Sequence, residues 1–405
     1  MSKNPCPHCD PYITDSAHIP ERIGGIFSIL TSFLIPVGLA NKIPQLPQSI
    51  NKAITYSLIN TLLALRIFQE VRVNDSDESV RNRSLVIIRE ARKRGISIKT
   101  LKVFGRSHVG IFSLEINGVK RFFDDLPHAT LERAYLVDLN DKEKIKVLLD
   151  ENSIPVAQGS VCKNYQEALS CVRKIEFPVV VKPRTGSLSR HTTCNINTKE
   201  GLTEAVQVAR MISNEFIVEK FIPGYIYRAT VVDGEVVGVC KREAPNVIGD
   251  GISTINDLIH TKNQDPLRGD PHQKNFTLHK IQFGNKAEIL LAEQGVALDE
   301  TLPVNKKVYL HNKIILSCGA DIHDVTDVVH PDNLTLFKKI YDLCRIPVIG
   351  IDVISRDISR SYLQEPCITL EINSLPYIDM HHYPTTGIPR DVAGKILDYC
   401  LENKQ

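Results

Sequence analysis

Two β-rich runs near the C-terminus constrain this chain most. Residues 346–354 carry Gly350-Ile-Asp352, and residues 367–375 carry Leu370-Glu371-Ile-Asn373. Strand side chains alternate faces, so Glu371 and Asn373 are expected to point one way, with Leu370 and Ile372 turned inward. The stretch between the runs, 355–366, is polar and long enough for them to pair as antiparallel neighbours. Asp352 then stands beside Glu371 and Asn373 on one surface. Two carboxylates and an amide oxygen make a hard, all-oxygen set that suits Mg²⁺, with water and substrate phosphates completing the shell. The plainer alternative is a pair of solvated acids on a sheet face.

A chain of 405 residues with 42% apolar content can build two or three packed units. Its 49 basic and 47 acidic residues leave +2, so no global field favours nucleic acid. The local basic run 89–102 lacks interleaved aromatics and reads as a solvated helix face. Ten scattered cysteines, several in apolar runs, suit reduced thiols in a cytoplasmic protein. Cys6-Pro-His-Cys9 is half of a zinc spacing with no second half nearby, so a flexible N-terminus carrying two thiols is the expectation there. Residues 23–40 form an uncharged 18-residue stretch at the lower edge of a membrane span. Its three glycines, proline and hydroxyls favour a buried or dimer-forming helical segment, hence a homodimer, over a membrane anchor. A second helix is expected over 50–71.

Further on, Ser76 or Asp77 is expected to cap a helix through Arg94, ended by Gly95. A strand over 96–103 and a hairpin of 111–116 with 119–123 across Asn117-Gly118 complete a small α/β unit. Helices are expected over 141–151, 199–212, 254–261 and 333–344, and strands over 177–182 and 215–221. Residues 227–232 pair with 235–240 across Asp233-Gly234. Strands and helices mix without strict alternation, which indicates an α+β fold of two sheet-containing lobes.

Short motifs kept in order from about 140 to 397 resemble the ATP-grasp ligase module of cyanophycin synthetases and of bifunctional glutathione synthetases. They include Asp324-Val-Thr-Asp327, His330-Pro-Asp-Asn333, Gly350-Ile-Asp352, Glu371-Ile-Asn373-Ser-Leu-Pro376, Met380-His381 and Gly387-Ile-Pro-Arg390. The resemblance implies an ATP-grasp domain over 140–401, two lobes gripping ATP, with a lid at about 183–221. A pre-ATP-grasp-like domain over 76–139 and a helical segment over 1–75 would precede it. It also implies ATP with two Mg²⁺ held by Asp352, Glu371 and Asn373, positions where Mn²⁺ can substitute. Lys142 and Lys182 would contact the nucleotide phosphates, and Glu219, Lys220, Phe221 and Ile222 the adenine. The 185–191 loop would cover the phosphates through Ser187, Ser189 and Arg190. Arg228 and Arg242 would hold the γ-phosphate and a substrate carboxylate; Lys182 and these arginines are the expected catalytic groups. Surface lysines, an ordinary strand end and a cross-strand charge patch are the plainer readings of the same residues.

Three departures qualify the resemblance. Ile226 stands where relatives carry a ribose-binding acid, the phosphate loop has one glycine where relatives have several, and His311 and Ile315 replace an Arg and an Asn. The implied activity is an ATP-dependent carboxylate–amine ligase that works on amino acids or short peptides through an acyl phosphate. Neither the Mur-ligase-like half of cyanophycin synthetase nor a glutamate–cysteine ligase half is expected. The rivals are a nucleotide-binding scaffold and a kinase that stops at the acyl phosphate.

Overall fold

The structure, a computed structural model, describes residues 48–105, 107–116, 118–128, 139, 141–184 and 191–402. The expectations for residues 1–47, Cys6 and Cys9 among them, and for Ser187, Ser189 and Arg190 lie outside these residues. Among the described residues no helix is long and apolar enough to cross a membrane.

The chain divides into two compact units. The described part of the first is drawn mainly from 141–224 and 366–372. Its antiparallel sheet runs in the order Gly159–Cys162, Phe216–Lys220, Val179–Pro183, Thr193–Ile196. Helices Tyr165–Ile175 and Lys199–Arg210 cover it, and burying Cys171, Val172, Leu202, Ala205 and Ala209 against Val179, Val181, Phe216 and Val218 makes the core. Each helix starts on a side-chain cap: Asn164 accepts from the Glu167 N–H and Thr198 from the Gly201 N–H, contacts that contribute about 1 kcal/mol apiece. Residues 366–372 are tied in where the Thr369 N–H donates to Pro155 O at 2.8 Å.

The second unit combines Thr61–Thr130, Tyr225–Glu365 and Asn373–Gln405. A four-stranded meander, Phe68–Arg72, Ile98–Val103, Ser107–Ile116 and Val119–Asp124, packs on helix Asn82–Lys93. Phe112 and Phe123 face each other in register with rings 5.5 Å apart. The same core takes in Ile396 and Leu397 of the last helix, Val392–Glu402. Four strands of a second sheet run in the order Asp321–Asp324, Glu235–Glu243, Tyr225–Val232, Val348–Ser355. The Tyr225–Val232 hairpin turns on Asp233 and Gly234, both at positive φ, which matches the right-handed twist of the flanking strands. Every residue of Val348–Ser355 is buried, as suits a strand covered on both faces.

Two local expectations are corrected. The expected 50–71 helix is helix Gln48–Ala64 followed by strand Phe68–Arg72; Arg66, at φ 57, turns the chain between them, and Phe68 and Val71 are better satisfied in a sheet. The helix expected from Ser76 or Asp77 starts at Asn82, because the Asp77 carboxylate instead closes a turn on the N–H and hydroxyl of Ser79.

Candidate active site

In the first unit, Lys182 and Glu219 lie on adjacent strands, and the Lys182 ammonium donates to Glu219 Oε1 at 2.5 Å. Lys146, from helix Lys142–Glu151, brings a second ammonium to 3.9 Å from Glu219 Oε2. Lys142 is the first residue of that helix, whose start is fixed by Asp141. One Asp141 carboxylate oxygen caps the N–H groups of Glu143 and Lys144, and Arg184 forks onto both oxygens at 2.8 and 3.2 Å. The Arg184 hydrogen bond, outweighing burial, holds the Asp141 carboxyl below its ordinary range. Arg184 follows the Lys182 strand directly, so one guanidinium joins the end of that strand to the start of the Lys142 helix. Sequence reading missed both Arg184 and Lys146. The four-residue spacing of Lys142 and Lys146 on one helix face was the available signal for the second.

The Glu219–Ile222 segment is partly committed within the protein. The Lys220 N–H donates to Gln158 O and the Phe221 N–H to Pro178 O, while the Lys220 ammonium reaches the carbonyls of Glu176 and Phe177. The Lys220 side chain therefore braces the neighbouring loop. Phe221 and Ile222 remain half-buried apolar surface at the strand end.

In the second unit, Arg228 and Asp352 are register partners on neighbouring strands. Arg228 Nε and Nη2 donate to Asp352 Oδ1 and Oδ2 at 2.6 and 2.8 Å, and Arg242 Nη2 adds a third contact to Oδ1 at 3.0 Å. Burial alone would raise the Asp352 pKa; the two guanidiniums overcome it and hold the carboxyl below its ordinary range. Gly350 makes room for this fork, because a Cβ there would sit 2.7 Å from Pro376 Cβ and 3.0 Å from Arg228 Nη1. Arg242 Nε is buried and has no acceptor among the described residues. Lys241 stacks over the Tyr225 ring at 3.5 Å from its centroid, an arrangement that leaves its charge partly exposed. Ile226 pairs across the sheet with Arg242 and Ile354.

Several sequence motifs prove to be braces. Arg390 spans Asp324 and Asp327 at 2.7 Å each. Wholly buried Asn333 donates to the carbonyls of Ile358 and Arg360 and accepts the Tyr362 N–H. His381, also buried, meets Thr230 Oγ1 at 2.8 Å. His311 accepts the Lys313 N–H across its own turn.

The expected set thus divides: Lys142, Lys182, the Glu219–Ile222 segment and Glu371 fall in the first unit, and Arg228, Arg242, Asp352 and Asn373 in the second. Among the described residues no three His, Cys, Asp or Glu side chains converge as a metal site. The Asp, Glu and Asn set contains only two carboxylates, and its oxygen donors are chemically suited to Mg²⁺. Asp352 would share its oxygens with the two arginines; Asn373 Nδ2 is buried without an acceptor among the described residues, and as a donor it could not bind the ion, which would fall to the amide oxygen.

Comparison with known proteins agrees with this architecture. Residues 141–248 match the family described as carbamoyl-phosphate synthase L chain, ATP binding domain. The chain is 37% identical to cyanophycin synthetase of Trichormus variabilis over 268 residues, 65% of this chain and 29% of that protein. It is 34% identical to the glutathione biosynthesis bifunctional protein of Streptococcus mutans over 273 residues, 65% of this chain and 36% of that one. The crystal structure of a bifunctional glutathione synthetase from Pasteurella multocida superposes with a TM-score of 0.62 at 23% identity, covering 80% of this chain and 44% of the other. The chain thus spans about a third of the length of these curated relatives. With its two α/β units, it has the ATP-grasp fold and resembles, over about two thirds of its length, the ligases that make cyanophycin and glutathione.

Proposed function

We propose that the protein is an ATP-dependent carboxylate–amine ligase. ATP phosphorylates a substrate carboxylate, an amine attacks the acyl phosphate, and an amide, ADP and phosphate are released. The observation that carries this reading is the placing of half-buried cations, one of them partly unsatisfied, in the region similar to amide-forming ligases. Lys182 sits on Glu219, and Arg242 keeps a buried Nε without an acceptor among the described residues. Such donors suit an incoming phosphate or carboxylate.

Lys142 and Lys182 would hold nucleotide phosphates, and Arg228 and Arg242 the transferred phosphoryl group and the substrate carboxylate. Asp352, Glu371 and Asn373 would hold Mg²⁺, which when bound offsets the charge on the phosphate oxygens. Positioning and charge then supply most of the catalysis, so no protein nucleophile is required. Amino acids or short peptides are the proposed substrates, acting in the cytoplasm. The test is ADP release by the full chain, with ATP and magnesium, against pooled amino acids and short peptides. Release that depends on the pool supports the reading. Silence with every pool favours a nucleotide-binding scaffold, and release that needs an acid but no amine favours an acyl-phosphate-forming kinase.

A further inference from the structure

Lys146 is a poorly satisfied charge of the first unit. It projects from helix Lys142–Glu151, one turn beyond Lys142, and its Nζ is buried with no hydrogen-bond acceptor among the described residues. An ammonium carries three donors, and leaving a buried one unmade costs several kcal/mol. Glu219 is the nearest carboxylate, yet its Oε2 stands 3.9 Å away, beyond hydrogen-bond reach, while its Oε1 is taken by Lys182 at 2.5 Å. Two ammonium groups therefore flank the Glu219 carboxylate, and only one of them is hydrogen-bonded to it. Burial lowers the Lys146 pKa below the ordinary lysine value, and Lys182 pushes the same way. Glu219, Glu143 of the same helix and the Cys171 thiol of helix Tyr165–Ile175 oppose the shift without cancelling it.

We propose that Lys146 is a further nucleotide-binding cation, which hydrogen-bonds a phosphate oxygen of ATP when the nucleotide enters beside Lys182 and Glu219. The inference rests on the nucleotide-site reading of these strands given above. A phosphate oxygen supplies the acceptor that Glu219 does not reach, and the ammonium charge suits the anionic triphosphate. A nearby phosphate also favours the charged form of Lys146. Binding therefore draws a proton from the buffer onto Nζ at any pH between the lowered value of the free protein and the higher value of the complex.

The test is calorimetric titration of the full chain with ATP and magnesium, in two buffers of different ionisation enthalpy, at neutral and at alkaline pH. For the wild type, proton uptake should grow toward alkaline pH. Lys146→Met should bind ATP at least about tenfold more weakly and lose that uptake. Lys146→Arg should keep most of the affinity and also lose the uptake, since a guanidinium stays charged throughout this range. Lys182→Met should weaken binding yet retain uptake. Without ATP, Lys146→Met should melt no lower than the wild type, because it removes a buried, poorly paired charge; a bracing role would lower its melting temperature. Wild-type affinity and uptake in Lys146→Met would overturn the inference and leave the nucleotide site standing. Failure of the wild type to bind ATP at all would overturn the nucleotide site itself and this inference with it.

Discussion

Arg228 and Asp352 face each other across two neighbouring antiparallel strands and share a two-pronged ion pair at 2.6 and 2.8 Å, both side chains almost wholly buried. Arg242 leans on the same carboxylate from the strand on the other side of Tyr225–Val232. The sheet thus directs two guanidiniums onto the Asp352 carboxylate. Asp352→Asn would remove the negative charge that both guanidiniums contact in the sheet. That should cost about 3–5 kcal/mol, measured by urea denaturation of the full chain. A loss below about 1 kcal/mol would mean that Asp352 is not the organising charge.

His381 gives the pH dependence a definite sign. Burial, then the nearby Arg228 and His382 charges, push its pKa down to about 3. The folded protein therefore holds it neutral, while the unfolded chain protonates it near pH 6.5. Between these values the unfolded state binds more protons, so stability rises with pH and falls on acidification below about 6.5, by up to about 1.4 kcal/mol per pH unit. His381→Gln should remove this component of the slope. An unchanged slope between about pH 6 and 4 would assign the acid sensitivity to other groups.

Ile226 stands where the resemblance calls for a ribose-binding acid, and its side chain accepts no hydrogen bond. With no carboxylate there to prefer the 2′-hydroxyl, 2′-deoxy-ATP should be used almost as well as ATP, and Ile226→Glu should sharpen the preference. The Glu219–Ile222 segment proposed to select adenine is untouched by this change, so GTP should remain a poor substrate. The check is kcat/KM for the three nucleotides. A loss above about tenfold with the deoxy analogue, about 1.4 kcal/mol, would mean another group has taken over the ribose contact.

Much of the fold was legible because it rests on local signals. Asp233-Gly234 and the alternating residues around it specify the hairpin that carries Arg228 and Arg242, and the helix expected over 141–151 forms at Lys142–Glu151 with Asp141 as its cap. The Lys142–Lys146 spacing was equally visible. What stayed hidden depends on distant partners. Nothing local to Arg184 indicates that it forks onto Asp141, 43 positions earlier. Nothing around Arg390 or Asn333 distinguishes braces from site residues. The end of helix Gln48–Ala64 was misjudged because an apolar spacing that suits a helix continues past Arg66 into residues that the meander claims as a strand.

Glu371→Gln should abolish ATP turnover without unfolding the protein, because an amide cannot supply the negative charge that Mg²⁺ requires. Steady-state ADP release, with circular dichroism as the control for folding, checks it. Near-normal turnover in this variant would remove Glu371 from the metal set.

The central claim, amide formation driven by ATP, is tested most directly by mass spectrometry of the products of the full chain. The reaction holds ATP, magnesium and an acid that supports ADP release, with and without an amine. The account predicts ADP and a new species in equal amounts, its mass that of acid plus amine less one water, and formed only when both are present. ADP release that is independent of amine, with no such species formed, would contradict it.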